Sequence, residues 1–210
     1  FCVIEPYCVV RYSIQLNTIQ GLTDLSQMME ANPQISEYLS RISHASEHIS
    51  TMVSDILNED NRSHVSMEDL FHSILMNSSS FLPDDILNVH LNCPNAVIAV
   101  NQIRMVRAVV NLLGNAQKAV DAKTGVIRLS AKSSEGHVQI CVEDNGIGME
   151  PEQLTCAFEI GWSGTGSTGM GLGYVRQEVE RQNGTIRLES TPGQGTHAVI
   201  RLKEVMCDAP

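Results

Sequence analysis

Positive charge is scarce in this sequence. Its 14 lysines and arginines stand against 24 aspartates and glutamates, a formal net charge of −10. A surface of that sign repels phosphate backbones, which excludes a nucleic-acid binder. No apolar run reaches the roughly 18 residues that a membrane-spanning helix needs. The six cysteines (Cys2, Cys8, Cys93, Cys141, Cys156 and Cys207) are scattered and form no Cys-x-x-Cys pair. A zinc site is therefore not expected, and a reduced, cytoplasmic setting is. Repeats and low-complexity tracts are also missing. So is an initiator methionine, since the chain begins at Phe1; we expect a fragment, with any membrane or sensor segment upstream of it. What remains is an ordinary globular composition of 210 residues, 42% apolar, enough for one large domain or two modest ones.

The pattern divides near residue 62. In the first part Ile35, Leu39, Ile42, Ser46, Ile49, Val53 and Ile56 follow one another at alternating steps of four and three, a heptad seam. Leu16, Ile19, Leu22, Leu25 and Met29 form a second apolar stripe, and Asn32-Pro33 breaks the helix between the two. The expectation for residues 1–62 is a helical hairpin that pairs with a second copy as a four-helix bundle. The alternative is that it packs on its own second domain. Asn58 to His64 reads as a linker. The remaining residues, 63–210, read as α+β, with helices on one face of a largely antiparallel sheet. Ser66 caps a helix over Met67–Asn77. Strands are expected at Val89–Leu91, Val97–Val100, Val126–Ser130, Val138–Val142, Ile186–Glu189 and His197–Leu202, and helices over Ile103–Ala122 and Val175–Gln182.

Three elements of that second part carry chemistry. Asn111, Asn115 and Lys118 fall at i, i+4 and i+7, on one face of a helix. Carboxamide oxygens suit Mg²⁺, a hard cation that keeps waters and phosphate oxygens as the rest of its shell. A lysine one turn on can meet phosphate charge. Asp144-Asn145-Gly146-Ile147-Gly148 follows a strand directly; its glycines let the backbone approach a flat ligand, and a carboxylate at the strand end can accept from an exocyclic amine. Gly164 to Gly173 is glycine-rich and leads into a helix, where backbone amides form an anion nest. Singly, these read as a solvated face, an ordinary turn and a surface loop.

In this order the three resemble the N, G1 and G2 boxes of the ATPase superfamily shared by histidine kinases, gyrase, Hsp90 and MutL. Phe158 is similar to the F box, and Gly193-Gln-Gly-Thr196 to the family's terminal adenine-side motif. The resemblance covers residues 66–205 and is to the catalytic core of sensor histidine kinases. It implies a Bergerat-type α/β sandwich that binds ATP and Mg²⁺. It implies Asn115 as the Mg²⁺ ligand with Asn111 nearby, and Lys118 at the phosphates. Asp144 would hold the adenine amine with Thr196 assisting, between Gly146 and Gly148. Gly169, Gly171, Leu172 and Gly173 would wrap the phosphates, and residues 150–168 would form a mobile lid. Trp162 and Met170 would border that lid. Hydrolysing members of the superfamily carry a glutamate base where this chain has Asn111. Asparagine cannot accept that proton, so phosphoryl transfer is expected in place of hydrolysis.

The resemblance also implies a phosphoacceptor histidine on the first helix, a response-regulator receiver domain as partner, and a homodimer through the hairpin. Leu16-Asn-Thr-Ile-Gln-Gly21 matches the tail of the acceptor motif, but Val10 stands where its histidine belongs, Arg11 replaces its acidic residue and Gln15 its proline. Three readings stay open: a degenerate kinase that regulates by binding, a substitution or a missing part of that helix, or phosphate accepted by another histidine, with His44 and His48 nearest. A serine kinase of the anti-sigma type is a further rival, which the N-terminal hairpin argues against.

Overall fold

In the computed structural model, residues 61–83, 85–159 and 171–205 are described. The expected hairpin, Val10, His44, His48, Trp162, Gly169 and Met170 lie outside them. The described residues form seven strands and four helices: β1 (Ser63–Ser66), α1 (Met67–Ser78), β2 (Leu87–Leu91), β3 (Val97–Val100), α2 (Gln102–Ala119), β4 (Ile127–Ser134), β5 (His137–Asp144), α3 (Pro151–Cys156), α4 (Gly171–Arg181), β6 (Thr185–Thr191) and β7 (Gly195–Lys203). None of the described helices is long and apolar enough to cross a membrane.

Five strands make one sheet in the order β2-β4-β5-β7-β6. All its pairs are antiparallel except β2 with β4. β1 and β3 form a small antiparallel pair of their own. The register puts Ile127, Leu129, Ala131, Ile140, Val142, Ala198, Ile200 and Leu202 on the buried face. Met67, Leu70, Phe71 and Ile74 of α1, Met105, Val109, Leu112 and Leu113 of α2, and Val175 and Val179 of α4 pack against it. The opposite face carries cross-strand charge, with Arg128 3.1 Å from Glu143 and His197 3.9 Å from the same carboxylate.

Local chemistry sets the element ends. Ser66 accepts from the Asp69 amide at 3.1 Å and caps α1 where the sequence pattern puts the cap. Asn101 caps α2 by accepting from the Arg104 amide at 3.2 Å. Helix α2 stops at Ala119, three residues short of the expected Ala122, because Asp121 accepts from the Lys123 and Thr124 amides at 2.8 and 3.1 Å and turns the chain. The β4–β5 hairpin turns at Glu135 and Gly136, with φ of 53° and 68°, the paired positive φ of a tight hairpin turn.

Two expectations are corrected. Ser63 and His64 belong to strand β1, pairing with Val100 and Ala99, and not to a linker. Gly171 to Tyr174 form the first turn of α4, so this helix starts four residues before Val175. The sequence reading also drew no helix at Pro151–Cys156, which is started by Pro151 and by the Gln153 carboxamide accepting from the Glu150 amide at 2.9 Å.

Candidate functional site

Helices α2 and α4 lie side by side and antiparallel, and their contacts form a ladder. At one end the Asn101 amide donates to Gln182 Oε1 at 3.1 Å. Next, Arg104 of α2 faces Glu178 of α4, whose carboxylate is 1% exposed and lies 3.7 Å from the guanidinium and 3.8 Å from that of Arg181. Gln182 Nε2 donates to the same carboxylate at 2.7 Å. One turn on, Arg107 lies over the Tyr174 ring, 5.7 Å from its centroid. At the far end stand Asn111 and Asn115, facing Gly171. A Cβ built on Gly171 would sit 3.7 Å from Asn115 Nδ2, 3.8 Å from Asn111 Oδ1 and 3.9 Å from Asn115 Oδ1. Asn111 Nδ2 donates back to the Arg107 carbonyl at 3.1 Å, which orients its oxygen away from the helix it stands on.

The structure thus brings the first sequence element together with the described end of the third, Gly171 to Gly173, through two helices. Gly173 is buried in the first turn of α4 and Leu172 packs against the core. Lys118 is exposed in the last turn of α2, on the Asn111–Asn115 side. Half-buried Phe158 sits under Arg176 of α4, 5.6 Å from guanidinium to ring centroid. Half-buried Cys156 lies on α3.

The second element is built at the ends of β5 and β7. Asp144 pairs with Thr196 across the sheet. Its Oδ1 accepts from the Gly146 amide at 2.9 Å and from the Thr196 amide at 3.3 Å. Burial pushes the Asp144 carboxyl above its ordinary value, and those two amides only partly offset that. The loop after it is stitched on both sides. The Asn145 carboxamide accepts from Val126 N at 2.7 Å and donates to the Thr124 carbonyl at 3.0 Å. Ile147 N donates to the Ala119 carbonyl at 3.0 Å, and Gly193 N to the Ile147 carbonyl at 2.7 Å. Gly146 packs on the Ala119 backbone. Gly148, at φ 66°, and Gly195, at φ 97°, admit no side chain: a Cβ would collide with the Thr191 carbonyl oxygen at the first and with the Asp144 carbonyl oxygen at the second. The loop therefore runs between the end of α2 and the β6–β7 turn, which unites Asp144, Gly146, Gly148 and Thr196.

Four residues of this region escaped the sequence reading. Asn145 passed as a turn residue. Ile147 is 62% exposed beside Asp144. Ser190 of β6 receives the Met149 amide at 2.9 Å and stands 3.0 Å from Thr196 Oγ1. Its signal was a polar residue in the inward alternation of Ile186 and Leu188. Glu178 gave a similar signal, an acid at a core position beside Val175 and Val179.

Known proteins are similar to this chain in sequence and in fold. The family model for histidine kinase-, DNA gyrase B-, and HSP90-like ATPases matches residues 100–206. Sporulation kinase B of Bacillus subtilis is 34% identical over 110 residues, covering 52% of this chain and 26% of its own length. The probable sensor histidine kinase TcrY of Mycobacterium tuberculosis is 29% identical over 200 residues, covering 88% of this chain and 42% of its own length. The chain spans less than half of either relative. Among solved structures, full-length ShkA in complex with AMPPNP shares the fold, with a TM-score of 0.65 at 22% identity over 99% of this chain and 48% of that one. The ATP binding domain of PrrB from Mycobacterium tuberculosis has a TM-score of 0.54 at 29% identity over 70% of this chain and all of that one.

Proposed function

The chain belongs to the histidine kinase-, DNA gyrase B-, and HSP90-like ATPase family, with its α+β Bergerat-type fold and a catalytic core of the sensor histidine kinase kind, and from that premise we propose that it binds Mg-ATP and transfers the γ-phosphoryl to a histidine, from which it passes to an aspartate of a response-regulator receiver domain. The observation that carries this reading is the seating of Gly171 against Asn111 and Asn115. A Cβ there would make only ordinary contacts, at 3.7–3.9 Å, so what the seating supports is the placing of both carboxamides directly across from the backbone amides at the positive end of α4.

The donor set fits the groups involved. Asn115 Oδ1 would ligate Mg²⁺ and Asn111 would stand beside it, both hard neutral oxygens that leave room for phosphate. Bound there, Mg²⁺ would supply neutralisation of the charge on the transferring phosphoryl. Lys118 would add a positive charge at the phosphates, and the amides of Gly169, Gly171, Leu172 and Gly173 would receive their oxygens. Asp144 Oδ2 would accept from the adenine amine, Thr196 would assist, and Gly146 and Gly148 would let the base lie against backbone. Phe158, held on α4 by Arg176, would close the lid side. Asn111 cannot deprotonate water, which favours transfer over hydrolysis. In this reading residues 1–62 are the dimerising hairpin, residues 63–210 the ATP-binding domain, and the working unit a homodimer.

A second reading rests on Val10, which stands where the acceptor histidine belongs. In it the chain binds nucleotide and signals as a scaffold without transferring phosphate. Incubation with γ-labelled ATP and Mg²⁺ separates the two. Acid-labile label on protein supports transfer to histidine, and acid-stable label points to a serine kinase. No label with ATP still bound supports the scaffold, and steady ATP turnover with no labelled protein would contradict the role given to Asn111.

A further inference from the structure

We propose that Ser190 determines base specificity: its hydroxyl fixes the Thr196 hydroxyl as a hydrogen-bond acceptor, so that Thr196 and Asp144 together admit a purine with an amine at the 6-position and reject its 6-oxo counterpart. This rests on the nucleotide reading above and deepens it.

The direction of each proton follows from the contacts. Ser190 Oγ lies 2.9 Å from Met149 N, 2.9 Å from the Gly195 carbonyl oxygen and 3.0 Å from Thr196 Oγ1. A hydroxyl carries one proton and two lone pairs. The Met149 amide can only donate, so it takes one lone pair. The Gly195 carbonyl can only accept, so it takes the proton. Were that proton turned to Thr196, two oxygens would face each other at 2.9 Å with nothing between them. Ser190 thus has one lone pair left for Thr196, and the Thr196 proton points to it. What Thr196 Oγ1 then offers a ligand is lone pairs.

Asp144 is fixed the same way. Both amides that reach it, from Gly146 and Thr196, use Oδ1, which leaves Oδ2 as an acceptor. Thr196 joins the two halves, gripping Asp144 with its amide and Ser190 with its hydroxyl. The end of the site is therefore a wall of acceptors. A 6-amino purine offers it N–H groups. At the same position a 6-oxo purine offers a carbonyl, which meets lone pairs with lone pairs.

The test compares ATP with ITP, which differ at the 6-position and at the proton on N1, by calorimetric titration of the 210-residue chain near neutral pH. The native chain should prefer ATP. Ser190→Ala frees the Thr196 proton to donate to a 6-oxo group, so the preference should narrow by roughly three- to tenfold, the range of one hydrogen bond. Ser190→Thr keeps a hydroxyl and should restore the preference. A loss of packing alone would weaken both nucleotides together and leave the ratio unmoved, and that result overturns the proposal. If Ser190→Ala shows no cooperative melt, Thr196→Val removes the acceptor itself and should narrow the ratio comparably; an unchanged ratio there overturns it too. A native chain that binds ATP and ITP equally overturns this proposal alone, whereas one that binds neither overturns the nucleotide reading with it.

Discussion

Glu178 of α4 is buried against Arg104 of α2, its carboxylate 3.7 Å from the guanidinium, two helical turns from the point where Gly171 meets Asn111. Contacts pair Asn101 with Gln182, Arg104 with Glu178, Arg107 with Tyr174 and Asn111 with Gly171, one register along the whole interface. A shift of one helix would move every pair at once. The ion pair thus fixes how high the start of α4 stands over the two asparagines.

Removing one partner of such a pair strands a charge away from water. Glu178→Ala should cost roughly 3–5 kcal/mol of stability in urea unfolding. The double variant Arg104→Met with Glu178→Leu should recover much of that cost, since an apolar pair of similar volume leaves no buried charge. A double variant as unstable as Glu178→Ala alone would show that shape, not charge, holds the interface.

Gly195 and Gly193 make an internal comparison. Both have positive φ, 97° and 74°, but a Cβ on Gly195 would strike the Asp144 carbonyl oxygen whereas one on Gly193 meets nothing within 4 Å. Gly193→Ala should therefore cost only the left-handed backbone strain, about 1–2 kcal/mol. Gly195→Ala should cost more and should also lower ATP affinity, because it pushes apart the strand ends that carry Asp144 and Thr196. Equal effects of the two substitutions in thermal melts and ATP titration would refute the placement.

Much of this was legible in the sequence, and the limits have physical causes. Ser66 and Asp69 announced the first helix through a local cap, and the alternation of β4 and β5 announced the sheet, because both signals lie within a few residues. The order of the three glycine and asparagine elements is what carried the resemblance to a nucleotide-binding family. Helix α4 was drawn too short because Gly171 and Gly173 are poor helix formers in isolation; here Val175, Val179 and Glu178 anchor the helix to α2, and that tertiary packing overrides the local preference. Ser190 and Glu178 work across 6 and 74 residues of sequence, toward Thr196 and Arg104, and no local pattern names such a partner. Glu150 and Pro151 were a legible helix start that the glycines after them obscured.

Asn115 tests the metal assignment. If its carboxamide is the protein ligand for Mg²⁺, ATP affinity of the native chain should fall when EDTA removes the metal. Asn115→Ala should bind ATP at about the native metal-free level, with or without Mg²⁺. The site is half-buried and the helix tolerates alanine, so circular dichroism should show the fold retained. A variant whose ATP affinity still rises with Mg²⁺ as the native chain's does would move the metal elsewhere.

Asp144 ties function to pH. Burial raises its pKa from the ordinary 3.8, so the folded chain holds that proton more tightly than the unfolded chain does. Stability then falls as pH rises through 3.8 and on through the raised folded value, and the cost is complete above it. Asp144→Asn removes the charge and the cost. It should melt higher than the native chain at neutral pH, and the two melting curves should converge as pH drops below the ordinary carboxyl range. The same substitution should damage binding. The Gly146 and Thr196 amides hold the Oδ1 position, so the new amide nitrogen takes the place of Oδ2 and meets an exocyclic amine donor to donor. ATP affinity should weaken by at least about tenfold. Stability gained while binding is lost identifies a carboxylate kept ionised for a ligand at a cost to the fold. Stability lost, or ATP bound as before, would remove Asp144 from that role.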